Sequence, residues 1–211
     1  MVVLITGANR GLGLALAEEF VSSGFRLVLH CRSMPENPPL CFSNSTVVVG
    51  DLTEDETLFR LAAEPVDILV NNAGIHMAEP FLNYTWLEIC ELVRVNLVVP
   101  MILTRLHWSS LKMVVNINSL ASKGGGPWES IYAASKAGLA GFSETLQFDA
   151  TRAGIRVLNV NLGGMNTDMA EGRNDRDKFI EPIDAAKAIF NLCQNYQTLR
   201  VTSVDLKRSR Y

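Results

Sequence analysis

Six short apolar runs recur along this chain, at Met1–Ile5, Arg26–Leu29, Thr46–Val49, Asp67–Val70, Lys112–Ile117 and Arg156–Val160, and most are followed by a stretch of helical periodicity. That alternation constrains the fold more than any other feature. Continuous β-branched and aliphatic runs of this length read as strands buried on both faces. Helices are predicted over Leu12–Val21, Glu54–Ala63, Trp86–Leu106, Ser130–Arg152 and Ile183–Asn195, with Val201–Asp205 as a last edge strand. Strands joined by helices need crossover connections, so the expected fold is α/β, a doubly wound parallel sheet in three α/β/α layers. Between the second and third strands, Met34–Pro39 holds three prolines and predicts a loop crossover without a helix.

With 211 residues, 48% of them hydrophobic and 19% charged, the chain is sized and composed for a single core, and one domain over 1–211 is expected. The net charge of -3 argues against nucleic acid as a partner. Basic residues cluster only at Lys207–Arg210, which read as a solvated terminus. Cys31, Cys41, Cys90 and Cys193 show no CxxC spacing, and His30, His76 and His107 lie in unrelated segments, so no metal site is expected. Reduced thiols and the lack of a long apolar span or leader point to a cytoplasmic protein with no membrane partner.

The segment Thr6-Gly7-Ala8-Asn9-Arg10-Gly11-Leu12-Gly13 lies between the first strand and the first helix. Gly7 permits a tight turn, Gly11 lets main chain approach a pyrophosphate, and Gly13 lets helix and strand pack closely, while the helix N-terminus offers free N–H groups. This is the strand, loop and helix of a Rossmann-type dinucleotide site, with Asn9, Arg10 and Leu12 inside the loop. Where an NAD-binding site places an acid after the second strand, this chain reads His30-Cys31-Arg32-Ser33. A cation and a hydroxyl there, with Arg10 as a second cation, favour a 2'-phosphate, so NADP(H) is expected ahead of NAD(H).

Tyr132 and Lys136 stand four residues apart at the start of a helix and project from one face. Ser119 ends the fifth strand thirteen residues earlier, at the carboxyl edge where open α/β sheets bind ligands. Taken in order, these motifs resemble the short-chain dehydrogenase/reductase family in its compact form, from Met1 to about Asp168. Thr6–Gly13 resembles that family's TGxxxGxG loop, Asp51-Leu52 its adenine-contacting pair, Asn71-Asn72-Ala73-Gly74 its NNAG turn, and Asn96 the asparagine of its VN-L segment. Ser119, Tyr132 and Lys136 match its Ser-Tyr-Lys set. The resemblance implies hydride transfer between a nicotinamide and a carbonyl or hydroxyl carbon. In it Tyr132 is the acid/base and Ser119 polarises the substrate oxygen, while Lys136 binds ribose and, with the oxidised nicotinamide, lowers the phenol's pKa. It also implies a water relay at Asn96, cofactor contacts from Asn72, Ala73 and Gly74, and, after the sixth strand, from Gly163, Met165 and Thr167.

Two departures stand out. Leu162 replaces the family's proline, which predicts a looser turn before Gly163. The covering lid is short, about 168–181. Substrate loops are expected at Gly124–Trp128, Ile75–Phe81 and Asp168–Phe179, where Trp128, Met77 and Phe81 suggest an apolar, planar ligand. The substrate is then a small carbonyl or alcohol, and assembly is expected as a homo-oligomer, a dimer ahead of a tetramer. The alternative is a redox-sensing regulator that binds NADP(H) without turnover.

Overall fold

The computed structural model of the chain describes residues 1–167, 179–194 and 199–209. Strands β1 (Val2–Ile5), β2 (Arg26–Cys31), β3 (Thr46–Val49), β4 (Ile68–Asn71), β5 (Met113–Ser119), β6 (Arg156–Leu162) and β7 (Ser203–Leu206) form one parallel sheet in the order β3-β2-β1-β4-β5-β6-β7. The chain winds outward from β1 to β3, returns to the other side of β1, and continues to β7. Direction therefore reverses between β1 and β4. Loops leaving adjacent strands diverge at such a point and open a cleft above the carboxyl ends. This is the doubly wound α/β sheet expected from the alternation, and every residue of β1 and β4 is buried, as continuous apolar runs require.

Helices cover both faces. On one, α1 (Gly11–Ser22), the single turn α2 (Leu40–Ser43) and α7 (Pro182–Cys193) bring Leu16, Phe20, Phe42 and Ile189 onto Val3, Ile5 and Val115. On the other, α3 (Asp55–Leu61), α5 (Val99–His107) and α6 (Ser130–Arg152) bring Leu58, Leu61, Leu103 and Ala150 onto Leu4, Leu69, Val114 and Val157. Phe20, Phe25 and Phe190 meet edge to face at 5.2 to 6.2 Å and join α1 to α7. Arg156, opening β6, donates to the carbonyls of Leu192 (3.0 Å) and Cys193 (3.1 Å), the bare end of α7. At the end of α1, Gly24 takes φ +82 and its N–H closes on the Val21 carbonyl at 3.0 Å, which stops the helix.

Two elements differ from expectation. The single helix predicted over Trp86–Leu106 is built as α4 (Trp86–Val93), a π-helical turn at Arg94–Val98, and α5. A capping box between Thr85 and Glu88 starts α4. Pro100 explains the widened turn, because it has no N–H to give to the Asn96 carbonyl four residues back and its ring crowds that carbonyl. The crossover from β2 to β3 was expected to lack a helix, yet α2 forms directly after Pro39. A missing donor is tolerated at a helix start, and burial of Cys41 and Phe42 secures the turn. No helix among the described residues is long and apolar enough to cross a membrane.

Candidate active site

Above the carboxyl ends of the strands lies a cleft of about 1190 Å³. Every residue expected to hold the cofactor lines it: Gly7, Asn9, Arg10, Gly11, Leu12 and Gly13 from the first loop, Arg32 and Ser33 after β2, Asp51 and Leu52 after β3, Asn72, Ala73 and Gly74 after β4, and Gly163, Met165 and Thr167 after β6. Ser119, Tyr132 and Lys136 line it too. Asn96 does not; it sits behind the wall with 1% exposure.

The glycine loop is shaped by contact as much as by torsion. A Cβ on Gly13 would lie 2.1 Å from the Gly7 carbonyl oxygen and 2.6 Å from Asn72 Nδ2, so only glycine lets α1 begin this close to β1. Asn72 donates to the carbonyls of Thr6 (2.8 Å) and Gly7 (3.1 Å), fastening the loop after β4 to the loop after β1. His30, which sequence reasoning passed over, supports the loop from below. Its Nδ1 accepts the Gly7 N–H at 3.3 Å and its Nε2 donates to the Gly50 carbonyl at 3.0 Å, a pairing that needs the neutral ring with its proton on Nε2. Burial lowers the pKa of His30 and favours that form. At this end of the cleft Arg10 and Arg32 are exposed. Asp51 is held ionised, first by the Thr53 N–H and more weakly by the nearby Arg32 charge.

At the other end β5 delivers Ser119 and the first turn of α6 delivers Tyr132. Ser119 Oγ accepts the Ala121 N–H at 3.1 Å, which leaves its proton for the phenol oxygen. Burial raises the pKa of Tyr132, the bond from Ser119 works against that rise, and the Glu129 charge adds to it. Lys136 is buried, donates to the Ile117 carbonyl at 3.1 Å, and has its Nζ 5.9 Å from the centre of the Tyr132 ring. Desolvation lowers its pKa to about 8. Within the protein alone, the bond from Ser119 is the influence that acts downward on the phenol.

Asn96 is anchored through its side chain. Its Oδ1 accepts the Ile75 N–H at 2.9 Å, and its Nδ2 donates to the Ile75 carbonyl at 2.9 Å and to Ser135 Oγ at 3.1 Å. The side chain is wholly engaged in holding the loop after β4 against α6. Its main-chain carbonyl is the group that Pro100 deprives of a helical donor. Behind Ser119 runs a buried amide ladder: Asn118 Nδ2 donates to the Lys136 carbonyl (3.1 Å) and to Asn159 Oδ1 (3.1 Å), and Asn159 donates to Asn161 Oδ1 at 2.9 Å. The ladder ties the helix carrying Tyr132 and Lys136 to the sheet.

Leu162 is not a loose point. It extends β6, paired with Ser119 on one side and Leu206 on the other, because leucine supplies the N–H that proline lacks. Most of the expected lid, 168–178, lies outside the described residues. Its end at Ile180 donates to the Gly164 carbonyl at 3.0 Å and accepts from Asn166 at 2.9 Å. Phe81 and Trp128 line a smaller adjoining recess of about 320 Å³ rather than the main cleft, and Met77 lines neither. Trp128 takes φ +64, a left-handed conformation unfavourable for so bulky a side chain, and its carbonyl accepts the Glu79 N–H at 3.0 Å. His76 meets the Tyr132 ring edge-on at 4.6 Å and pairs with Glu129 at 3.0 Å. Lys207 and Arg208 also line the cleft, where the sequence suggested only a solvated tail.

Known proteins resemble this chain in sequence and fold. Ketoacyl reductase HetN of Nostoc sp. is 30% identical in an alignment covering 93% of this chain and 76% of that protein. The 3-oxoacyl-(acyl-carrier-protein) reductase FabG of Rickettsia bellii is 31% identical, covering 83% of this chain and 77% of its own length. A metagenomic short-chain oxidoreductase solved in complex with NADP is 26% identical and superposes with a TM-score of 0.85 over 99% of this chain and 97% of that one. A family model described as short chain dehydrogenase matches residues 1–178, and with the seven-stranded parallel sheet this shows that the chain belongs to the short-chain dehydrogenase family.

Proposed function

We propose that the protein transfers hydride between NADP(H) and a carbonyl or hydroxyl carbon of a small substrate, with Tyr132 as proton donor and acceptor. One observation carries the reading: a phenol, a hydroxyl aimed at it and a buried ammonium share one cleft with a glycine cradle that only glycine can form. The cleft fits a dinucleotide. Its volume exceeds that of an ordinary drug-sized site.

When bound, the nicotinamide supplies or accepts the hydride. The chain's own residues do the rest. Main-chain groups of Gly11, Leu12 and Gly13 at the start of α1 face the pyrophosphate region, and Arg10 with Arg32 provides the charge for a 2'-phosphate. Lys136 would hold ribose hydroxyls. Tyr132 gives its proton to the substrate oxygen in reduction and takes it back in oxidation, while Ser119 donates to the same oxygen as charge grows there. We assign Asn96 a positioning role through Ile75 and the water relay toward Lys136. The names of the ketoacyl reductase relatives and the NADP-bound neighbour support carbonyl reduction with this cofactor. The four cysteines are unpaired, which suits a cytoplasmic setting.

Absorbance of NADPH and NADH, followed against a panel of ketones and oxo esters, tests the proposal. Oxidation of NADPH in preference to NADH is expected, and Tyr132→Phe should abolish turnover while NADPH titration stays nearly unchanged. Full activity in Tyr132→Phe, or no turnover of any carbonyl by the wild type, would overturn it.

A further inference from the structure

The register across β5, β6 and β7 sets Ser119 beside Leu162 and Leu162 beside Leu206. Neighbouring strands lie about 4.8 Å apart, so Leu206 stands roughly 10 Å from Ser119, and Lys207 leaves the sheet just beyond it. The tail stays close to the site. A Cβ on Gly163 would lie 3.5 Å from the Leu206 carbonyl and 3.8 Å from the Arg208 nitrogen, and the Arg208 guanidinium carbon is 5.8 Å from the centre of the Phe179 ring, which itself packs on Gly164.

Charge at this end runs against that of the chain. The protein has 19 Lys and Arg against 22 Asp and Glu, whereas the cleft is lined by five basic and three acidic residues. Two of the five, Arg10 and Arg32, serve the nucleotide in the reading above. They stand beside β1 and β2, and β2 is five strand spacings from β7, about 24 Å, so Lys207 and Arg208 face a different part of whatever fills the cleft. The acid next to them is bonded elsewhere: Asp205 receives Lys123 Nζ at 2.7 Å on both oxygens and Asn161 Nδ2 at 2.9 Å, and feels the Lys207 charge only more weakly. Glu129, across the cleft, is paired with His76.

We propose that Lys207 and Arg208 form an anion-binding end of the substrate pocket, and that the substrate is an oxo or hydroxy acid whose carboxylate they receive. The assignment rests on the hydride-transfer reading and narrows its substrate class. Lysine and arginine together give a point charge and a fork suited to a carboxylate. The span of roughly 10 Å between Ser119 and the start of the tail places that carboxylate a short carbon chain away from the reacting carbon.

The test compares 5-oxohexanoate with its methyl ester on the wild type and on the Lys207→Ala, Arg208→Ala double variant. The wild type should favour the acid in kcat/KM, the acid-to-ester ratio should fall about tenfold or more in the double variant, and the preference should shrink with added salt. Equal kcat/KM for acid and ester in the wild type, or parallel losses on both probes, overturns the inference. So does a preference for the coenzyme A thioester of a 3-oxoacid over 5-oxohexanoate, which would put the anion farther out. If the wild type reduces neither probe, the hydride-transfer reading fails separately, and calorimetric titration of 5-oxohexanoate with NADP+ present decides this one: binding lost in the double variant sustains it, and no binding to the wild type overturns it.

Discussion

Lys136 shows most plainly what a single residue costs and contributes here. Its ammonium is out of water with a main-chain carbonyl as partner, and burial brings its pKa from 10.5 to about 8. Below pH 8 the folded and unfolded chains both carry the proton, and the burial penalty, roughly 3 kcal/mol, is present in full. Between pH 8 and 10.5 the unfolded chain holds more protons than the folded one, so this lysine makes stability rise with pH, and above 10.5 the penalty is gone. Lys136→Met should therefore be more stable relative to wild type at pH 7 than at pH 10.5, the difference shrinking by about 3 kcal/mol, as urea denaturation across that range will measure. A difference that stays constant with pH would contradict it. Taking wild type and variant together cancels Cys193 and Tyr132, acids whose raised values lower stability at higher pH. Ser119, Tyr132 and Lys136 were legible in the sequence because strand end and helix spacing are local patterns. His30 was not, since its partners at Gly7 and Gly50 lie 23 and 20 residues away, and Lys207 and Arg208 were not, since only the register of β7 brings them to the cleft.

The elements are held in place by polar groups that periodicity does not reveal. Asn116, Asn118, Asn159 and Asn161 are buried inside strands that are otherwise aliphatic, and a pattern of apolar runs predicts the strands without saying what those amides bind. Asn118→Ala removes bonds to the Lys136 carbonyl and Asn159 and leaves the Ser119 N–H without its 2.8 Å acceptor. We expect a loss of about 2–3 kcal/mol in urea denaturation. A fall in kcat at saturating NADPH should accompany it, as α6 shifts against β5; unchanged stability would show that the ladder does not anchor the helix. The break between α4 and α5 had a signal in Pro100, but apolar spacing runs through it, and a proline near a helix start looks the same as one inside a helix until tertiary contacts decide. The boundaries of β3 and α6 agree with their predicted spans because clear turn or cap residues flank both.

For the whole molecule, alternation was enough to anticipate a parallel sheet covered on both faces, since few other arrangements bury such strands. Assembly is less local. Trp86 and Leu87 on α4 and Phe148 on α6 are exposed at 72%, 60% and 72%. Pairing of two copies through these helices would cover them. Sedimentation velocity should find a dimer that Leu87→Glu with Phe148→Glu converts to monomer, and a wild type sedimenting as monomer at tens of micromolar would contradict this. The left-handed Trp128 has a consequence for engineering. Its carbonyl accepts the N–H of Glu79 in the neighbouring loop, so the two loops are tied by a main-chain bond. A graft that brings in one of these loops from a homologue should therefore bring in the other with it.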